Sequence, residues 1–438
     1  MNRTHDPAAR SWHESANEAG SGFPVQNLPL GVFAPGEGES QRVGVAIGES
    51  VLDVAAAVGK GLFEGEAKRA AEACAKPALN ALMALGPAHR RALRERLFDV
   101  LHEKAPADAR KRAAACLVSM DACELRLPVE IGDYTDFYAS VFHATNVGRM
   151  FRPDNPLLPN YKHVPIGYHG RASSIVLSGT PVRRPLGQNM PDGAQAPTYE
   201  ASRLLDYELE VGCFVGPGNA QGKSIPIARA SDHIFGLCLV NDWSARDVQK
   251  WEYQPLGPFL AKSFATTISP WVVTLEALEP YRVGAFARPE GDPRPLPYLY
   301  DEEDQARGAI DLTLEVYVET RQMRERGLEP MRVSRGNFRD MYWTVAQMLA
   351  HHASNGCNLR PGDLMASGTV SGAEKDSRGC LLELTDRGAE PLSFATGEER
   401  KFLQDGDEVI IRGYCAREGL ARVGFGECRG EITAAPAA

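Results

Sequence analysis

The sequence predicts a β-rich α+β protein in two parts: a small strand-plus-helix unit, then a much larger β domain. Three observations carry this. At 438 residues the chain has room for two or three domains of ~150 residues each. Between 64 and 103, Ala, Leu, Glu and Arg dominate, with apolar residues at helical spacing. After Leu125-Arg126-Leu127-Pro128, short apolar runs alternate with Gly, Pro and Asn turns.

Residues 1–20 are polar, carry no apolar h-region and are expected to form a flexible tail. Val43, Val45 and Ile47 alternate with small or polar neighbours as in a strand, which ends at Gly48. Pro87 marks a helix start, and Leu93, Leu97, Val100 and Leu101 form its apolar stripe. These elements define a first domain over 21–125 and a second over 126–438. In the second, 175–177, 234–240, 271–275, 312–318 and 408–411 read as strands. Leu312, Leu314, Val316 and Val318 share one face by period two. The run 234–240 has little polar interruption, so both its faces should be buried. A helix is expected over 338–352, with Asn337 as N-cap and Met341, Val345, Met348, Leu349 and His352 facing the core. The stretch 284–310, rich in Pro, Asp and Glu, is expected to be a surface loop.

Composition narrows the class. With 43% hydrophobic and 24% charged residues, the chain is neither disordered nor a coiled coil. The net charge of −9 leaves no basic surplus to neutralise phosphates, which argues against a nucleic-acid partner and suits a metal cation. The apolar runs are too short to span a bilayer. Nine cysteines with no CxxC spacing disfavour a zinc knuckle, a redox pair or a disulfide framework, and fit reduced thiols in a cytoplasm.

The chemistry concentrates in a few places. In Leu205-Asp206-Tyr207-Glu208-Leu209-Glu210-Val211, a strand would point Glu208 and Glu210 to one face, ~7 Å apart. That is either a wet face or a pair held ionised by a divalent cation. Asp242 follows the apolar run 237–240, where an unpartnered carboxylate is costly. Asp136 is a fourth acid, which alone reads equally well as a turn or cap. Such an all-oxygen set suits Ca²⁺, Mg²⁺ or Mn²⁺, not zinc or copper. His143, seven residues past Asp136, is either a general base or a structural histidine. His351 and His352 point apart on their helix, and His163 and His169 fall in loops. Arg246 and Gln249 follow Asp242 closely. Lys262, between Phe259-Leu260 and Phe264, either snorkels or holds a charge inside a site. Arg152 has the side chain to grip a carboxylate bidentately. The Gly-rich run 366–372 lacks GxGxxG and Walker spacing, and there is no GxSxG elbow.

Five blocks carry a resemblance: DYTDFYASVFHATNVGRMFR (133–152), VPIGYHGRASSIVLSGTPVRRPLGQ (164–188), LDYELEVG (205–212), NDWSARDVQKWEYQPLGPFLAKSFATTISPWVV (241–273) and HHASNGCNLRPGDLMASGTVSG (351–372). In this order they resemble the fumarylacetoacetate hydrolase family over most of 130–430. The resemblance implies an SH3-like β-barrel domain, then a mixed β-sandwich roll that forms a homodimer. It implies that Asp136, Glu208, Glu210 and Asp242 bind Ca²⁺ or Mg²⁺, with Lys262 and Thr266 assisting. It makes His143 the general base, oriented by Glu383, and puts Arg246 and Lys262 beside the developing charge. Tyr138, Arg152, Gln249, Tyr253 and Thr369 match substrate-contacting positions. The implied reaction is hydrolysis of a carboxylate-bearing 1,3-diketone, 4-fumarylacetoacetate, to fumarate and acetoacetate in the cytoplasm. A hydrolase of acylpyruvates, a hydratase or an oxaloacetate decarboxylase on the same fold, and a calcium-stabilised binding protein, are the rival readings.

Overall fold

In the computed structural model, which describes residues 1–36 and 38–437, the N-terminal part is built on a five-stranded antiparallel sheet. Its spatial order is Leu117–Ser119, Ser50–Asp53, Arg42–Ile47, Leu30–Ala34 and Glu124–Arg126. Period two sends Val43, Val45 and Ile47 to one face, where they meet the stripe Leu93, Leu97, Val100 and Leu101 of the helix Pro87–Leu101. The opposite face, with Phe33, Ala46 and Val51, packs on Trp271 of the larger domain. Gly31 permits that approach, since a Cβ there would stand 2.6 Å from the Trp271 ring. A backbone bridge between Leu30 and Val272 fastens the two parts, at 3.0 and 2.7 Å.

Residues 1–20 differ from the expected flexible tail: they are packed onto the helix Pro87–Leu101. Ser11 Oγ and Trp12 Nε1 donate to the carbonyls of Leu101 and Val100 at 2.7 and 2.8 Å, at the helix end where carbonyls have no partner within the helix. Thr4 is buried, and the Arg94 guanidinium donates to its hydroxyl at 3.3 Å, to the Asn27 carbonyl at 2.6 Å and to the Gln26 carbonyl. Polarity hid this segment in the sequence because its role is to satisfy hydrogen bonds. Arg94→Met should therefore cost ~1–3 kcal/mol in a urea melt, by stranding buried carbonyls. A change indistinguishable from zero would show that the Arg94 bonds to Thr4, Gln26 and Asn27 add nothing to stability.

The larger domain carries two sheets. The first has eight strands. Seven run in the order Gly167–Gly170, Tyr134–Phe137, Leu364–Ala366, Leu209–Val215, Ile234–Asp242, Thr266–Ile268 and Ile175–Leu177, and Val273–Thr274 joins Ile234–Asp242 off this path. Two of its pairings are parallel, so the sheet is mixed. The second sheet runs Met331–Asn337, Thr313–Glu319, Glu408–Cys415, Val423–Thr433 and Val182–Arg183. Alternate residues of the first sheet enter different cores. Val211, Cys213, Leu237 and Leu239 join Leu314, Val316, Ile411 and Phe425 of the second sheet. Phe214, Cys238 and Val240 join the N-terminal core, and so does Phe235, at the register shift where the alternation breaks. All nine residues of Ile234–Asp242 are accordingly buried, as the uninterrupted apolar run predicts. The result is a β-rich α+β protein. Among the described residues no helix is long and apolar enough to cross a membrane.

Three local expectations are corrected. The helix over 338–352 is two elements. Asn337 caps a short 3-10 turn, Phe338–Asp340, and the α-helix Val345–Ala353 starts at a capping box between Thr344 and Gln347. Tyr342 N–H bonds the Ala139 carbonyl between them at 2.9 Å, which interrupts the helical ladder. The stretch 271–275 is strand only over Val273–Thr274 before turning into the short helix Leu275–Leu278. The stretch 284–310 contains a helix, Glu302–Arg307, capped by Asp301.

Within that helix Asp304 is buried, accepting from Thr344 Oγ1 at 2.9 and 3.0 Å. Burial pushes its carboxyl up from 3.8 to about 6. The folded state thus holds this proton more tightly than the unfolded chain does. The group costs nothing below its unfolded pKa, and its penalty grows as pH rises, reaching about 3 kcal/mol above the folded pKa. Asp304→Asn should gain on wild type by up to that amount between about pH 4 and pH 7 in urea melts. A pH-independent difference would show that Asp304 does not titrate in this range.

Candidate active site

The two-residue period of the first sheet decides where its acids stand. On the face toward the N-terminal core, Tyr134 is followed two residues on by Asp136, and Val240 by Asp242. In the antiparallel neighbours the sequence runs the other way: Glu210 precedes Gly212 and Phe214, and Thr266 precedes Ile268. One end of this face is therefore apolar and the other acidic.

At the acidic end, carboxylate oxygens of Asp136, Glu210 and Asp242 lie within 4.8 Å of one another, all buried. Asp136 Oδ1 and Glu210 Oε1 have no hydrogen-bond partner. Glu210 Oε2 accepts from Gly368 N–H at 3.2 Å, and Asp242 accepts from Thr266 Oγ1 and Tyr168 OH at 3.3 Å each. Burial, and then the neighbouring acids, push Asp136 and Glu210 well above the ordinary carboxylate range, and burial raises Asp242. Two orphaned buried oxygens among converging carboxylates fit a hard divalent cation bound through oxygen.

Glu208 stands outside this trio and is linked to Asp242 through the Lys262 ammonium. Its Oε1 accepts from Arg246 Nη1 at 2.7 Å and its Oε2 from Lys262 Nζ at 2.5 Å. Burial pushes this carboxyl up, but the Lys262 and Arg246 cations outweigh it and hold Glu208 well below the ordinary range. Lys262 also donates to Asp242 Oδ2 at 2.5 Å. Burial opposes its charge, yet Asp242 and Glu208 prevail and keep it protonated. Of the two readings of Lys262, the buried charge is the one observed: Phe259 is 70% and Leu260 51% exposed, and the two carboxylates hold the ammonium. Arg246 is fixed by Asp206 at 2.9 Å and by Gln249 Oε1 at 3.1 Å, while its Nη2 has no partner. A cavity of about 170 Å³, lined by Tyr168, Phe259, Lys262, Ser263 and Thr266, opens onto Asp242.

His143 lies in the first turn of the helix Val141–Phe151, whose N-cap Ser140 accepts from His143 N–H at 3.2 Å. Its Nδ1 meets Glu383 Oε2 at 2.6 Å. Glu383 is fully buried and also accepts from Asn146 Nδ2 and Ser371 Oγ, both at 2.8 Å. Burial pushes Glu383 up, but the His143 charge and these donors win and hold it at about 2. A carboxylate fixed on Nδ1 leaves Nε2 as the nitrogen that exchanges a proton. The Tyr138 ring stands edge-on to the imidazole at 5.3 Å.

Other expected site residues have hydrogen-bond partners outside this cluster or none. Arg152 is nine residues past His143, ~14 Å along the helix axis, and its Nη2 bonds the Pro156 carbonyl at 3.4 Å. The Tyr253 hydroxyl accepts from Gln254 at 3.3 Å. Thr369 is buried with its hydroxyl unpartnered. His169 lies on the strand Gly167–Gly170, not in a loop. His351 meets Tyr298 OH at 3.0 Å, and His352 meets Thr135 Oγ1 at 2.8 Å. Conversely, reading by residue missed Asp206, Asn146 and Ser371. Asp206 had a signal, two residues before Glu208, and so did Asn146, one helical turn after His143. Ser371 reaches Glu383 only through the fold.

Comparison with known proteins bears on the same residues. The family described as "Fumarylacetoacetate (FAA) hydrolase C-terminal" matches residues 134–433, and "Fumarylacetoacetase N-terminal" matches 26–128. The chain is similar to the fumarylacetoacetase of Homo sapiens, at 50% identity over 417 residues, covering 94% of this chain and 96% of that protein. It is similar to the fumarylacetoacetase of Arabidopsis thaliana, at 49% over 422 residues, covering 95% and 97%. The corresponding protein of Caenorhabditis elegans is 49% identical over 418 residues, covering 94% and 96%. Both family segments occur in one chain, and animal and plant relatives match it almost end to end, so this chain belongs to the fumarylacetoacetate hydrolase family.

Proposed function

We propose that this protein is a hydrolase that cleaves the carbon–carbon bond of 4-fumarylacetoacetate, releasing fumarate and acetoacetate at the end of tyrosine and phenylalanine breakdown. The observation that carries the reading is the buried 2.6 Å His143–Glu383 pair, close enough to Glu208 for their charges to interact. The names of the relatives support the substrate.

Glu383 holds the Nδ1 proton and stabilises the imidazolium that forms as His143 Nε2 takes a proton from water. The hydroxide formed attacks the carbonyl. The unpartnered Nη2 of Arg246 is a ready donor for the oxyanion. Collapse breaks the carbon–carbon bond, and the leaving carbanion is an enolate whose charge the Lys262 ammonium stabilises. Asp136, Glu210 and Asp242, with Glu208 and Thr266 at the rim, would hold Ca²⁺ or Mg²⁺, which supplies Lewis-acid polarisation of the diketone oxygens when bound. Tyr138, Arg152, Gln249, Tyr253 and Thr369 are the residues that would contact and orient the substrate.

Purified protein should remove the diketone absorbance of fumarylacetoacetate, faster than that of an acylpyruvate, and lose this activity to a chelator. Absence of turnover with cation present would sink the reading. Lys262→Met should lower kcat by ~10²–10³ and change KM less, since its stabilisation grows as charge develops. An unchanged kcat in a folded variant would make Lys262 structural, and a pure rise in KM would make it a uniform substrate contact.

The exposed apolar residues Trp251, Leu256, Phe259 and Leu260 support a homodimer, which light scattering on the eluted protein tests: a monomer at micromolar concentration ends it. The antiparallel five-stranded order supports an SH3-like closure of the first domain, and the free cysteines support a reducing, cytoplasmic setting.

A further inference from the structure

Beside the acidic trio, three side chains of a different chemistry meet. His143 Nδ1 lies 2.6 Å from Glu383 Oε2, and Cys380 Sγ donates to the same oxygen at 3.2 Å. One potential ligand atom from each lies within 4.8 Å of the others, and all three side chains are buried. Cys380 is the N-cap of the short helix that carries Glu383, so thiol and carboxylate are placed together by one local turn.

We propose that His143, Cys380 and Glu383 form an inhibitory zinc site. Imidazole, thiolate and carboxylate are the ligands zinc takes, at ~2.0–2.3 Å, with a fourth position left for water. The oxygen-only trio of Asp136, Glu210 and Asp242 suits hard cations instead, so the two neighbouring clusters sort metals by softness. Tetrahedral ligands stand ~3.4 Å apart, so the Nδ1–Oε2 contact must open by under ~1 Å. Charge favours the complex, because a divalent ion with one thiolate, one carboxylate and a neutral imidazole is uncharged, as a dry pocket requires. Asn146 and Ser371 already hold the carboxylate from behind, the outer support that metal ligands need.

The protons balance. Burial, with Glu383 beside it, keeps the Cys380 thiol protonated and inert until a metal displaces the proton to solvent. The Nδ1 proton of His143 transfers through solvent to Nε2, so the imidazole stays neutral and one proton leaves per ion bound. His143 then presents an N–H where the reaction needs a lone pair. Binding at the triad stands on geometry alone, whereas the loss of turnover rests on His143 being the general base.

The test uses full-length, Ca²⁺-loaded protein and Co²⁺ as the spectroscopic stand-in for zinc. Titration should give a thiolate-to-cobalt charge-transfer band in the near ultraviolet, with one proton released per ion. Zn²⁺ should displace the cobalt and lower turnover, reversibly on chelation with Ca²⁺ restored. Cys380→Ser, with the other cysteines kept, should lose the band and need ~10-fold or more zinc for the same inhibition. No band in wild type, or a band that survives in Cys380→Ser, overturns the site. If that variant fails to fold, zinc-edge X-ray absorption of the wild type decides, with one sulfur at ~2.3 Å supporting the site and a shell of nitrogen and oxygen alone overturning it. Sulfur ligation with undiminished turnover would keep the site but overturn its inhibitory role and remove His143 as the base.

Discussion

His143→Ala should lower kcat by ~10²–10⁴ while leaving the fold and cation affinity near wild type. The size follows from the local geometry. His143 is held from one side by a fully buried carboxylate at 2.6 Å, and its backbone N–H is fixed by Ser140, so the imidazole is preorganised and not merely present. Alanine removes the acceptor of the water proton and leaves Glu383 with Asn146 and Ser371 as donors, which keeps the carboxylate hydrogen-bonded and the pocket folded. Asp136, Glu210 and Asp242 stand on the sheet and do not depend on the helix that carries His143. Steady-state kinetics with calorimetric cation titration checks both halves. Turnover within about tenfold of wild type would remove His143 as the base, because loss of a base costs more than that.

The second large effect separates two glutamates that share a strand pattern. Glu210→Gln should weaken divalent-cation binding by at least ~100-fold and, in the cation-free protein, raise stability by about 1 kcal/mol. Glu210 sits buried among like charges with one oxygen unpartnered, so an amide there removes a burial and repulsion cost that a cation or a bound proton otherwise offsets. Glu208→Ala should do the reverse to the cation-free protein and cost ~3–5 kcal/mol, because it strips a carboxylate from two buried cations, Arg246 and Lys262. Calorimetric titration and urea melts in chelator read the two signs. Destabilisation of similar size in both variants would show that the acids form one undifferentiated cluster.

That contrast also marks how far the amino-acid sequence reaches. Glu208 and Glu210 differ by two positions, and period two puts them on one face in any extended segment. The sequence alone therefore establishes the pair, the lone Asp242 after an apolar run, and the doubly buried strand that ends at it. Side-chain direction is set by local backbone geometry, so such patterns survive without knowledge of the fold. Which glutamate meets the Arg246 and Lys262 cations depends on where those side chains arrive from other elements, and only the tertiary structure decides it. The same holds for Glu383, which meets His143 across a separation of 240 residues, and for Asn146 and Ser371, which join it there. It holds again for residues 1–20, whose polar side chains look dispensable until the end of the helix Pro87–Leu101 supplies carbonyls that need donors. Local pattern fixes faces and composition fixes class. Partnership between distant groups is settled by the packing of whole elements, where burial makes every unpaired charge or hydrogen-bonding group costly enough to select its partner.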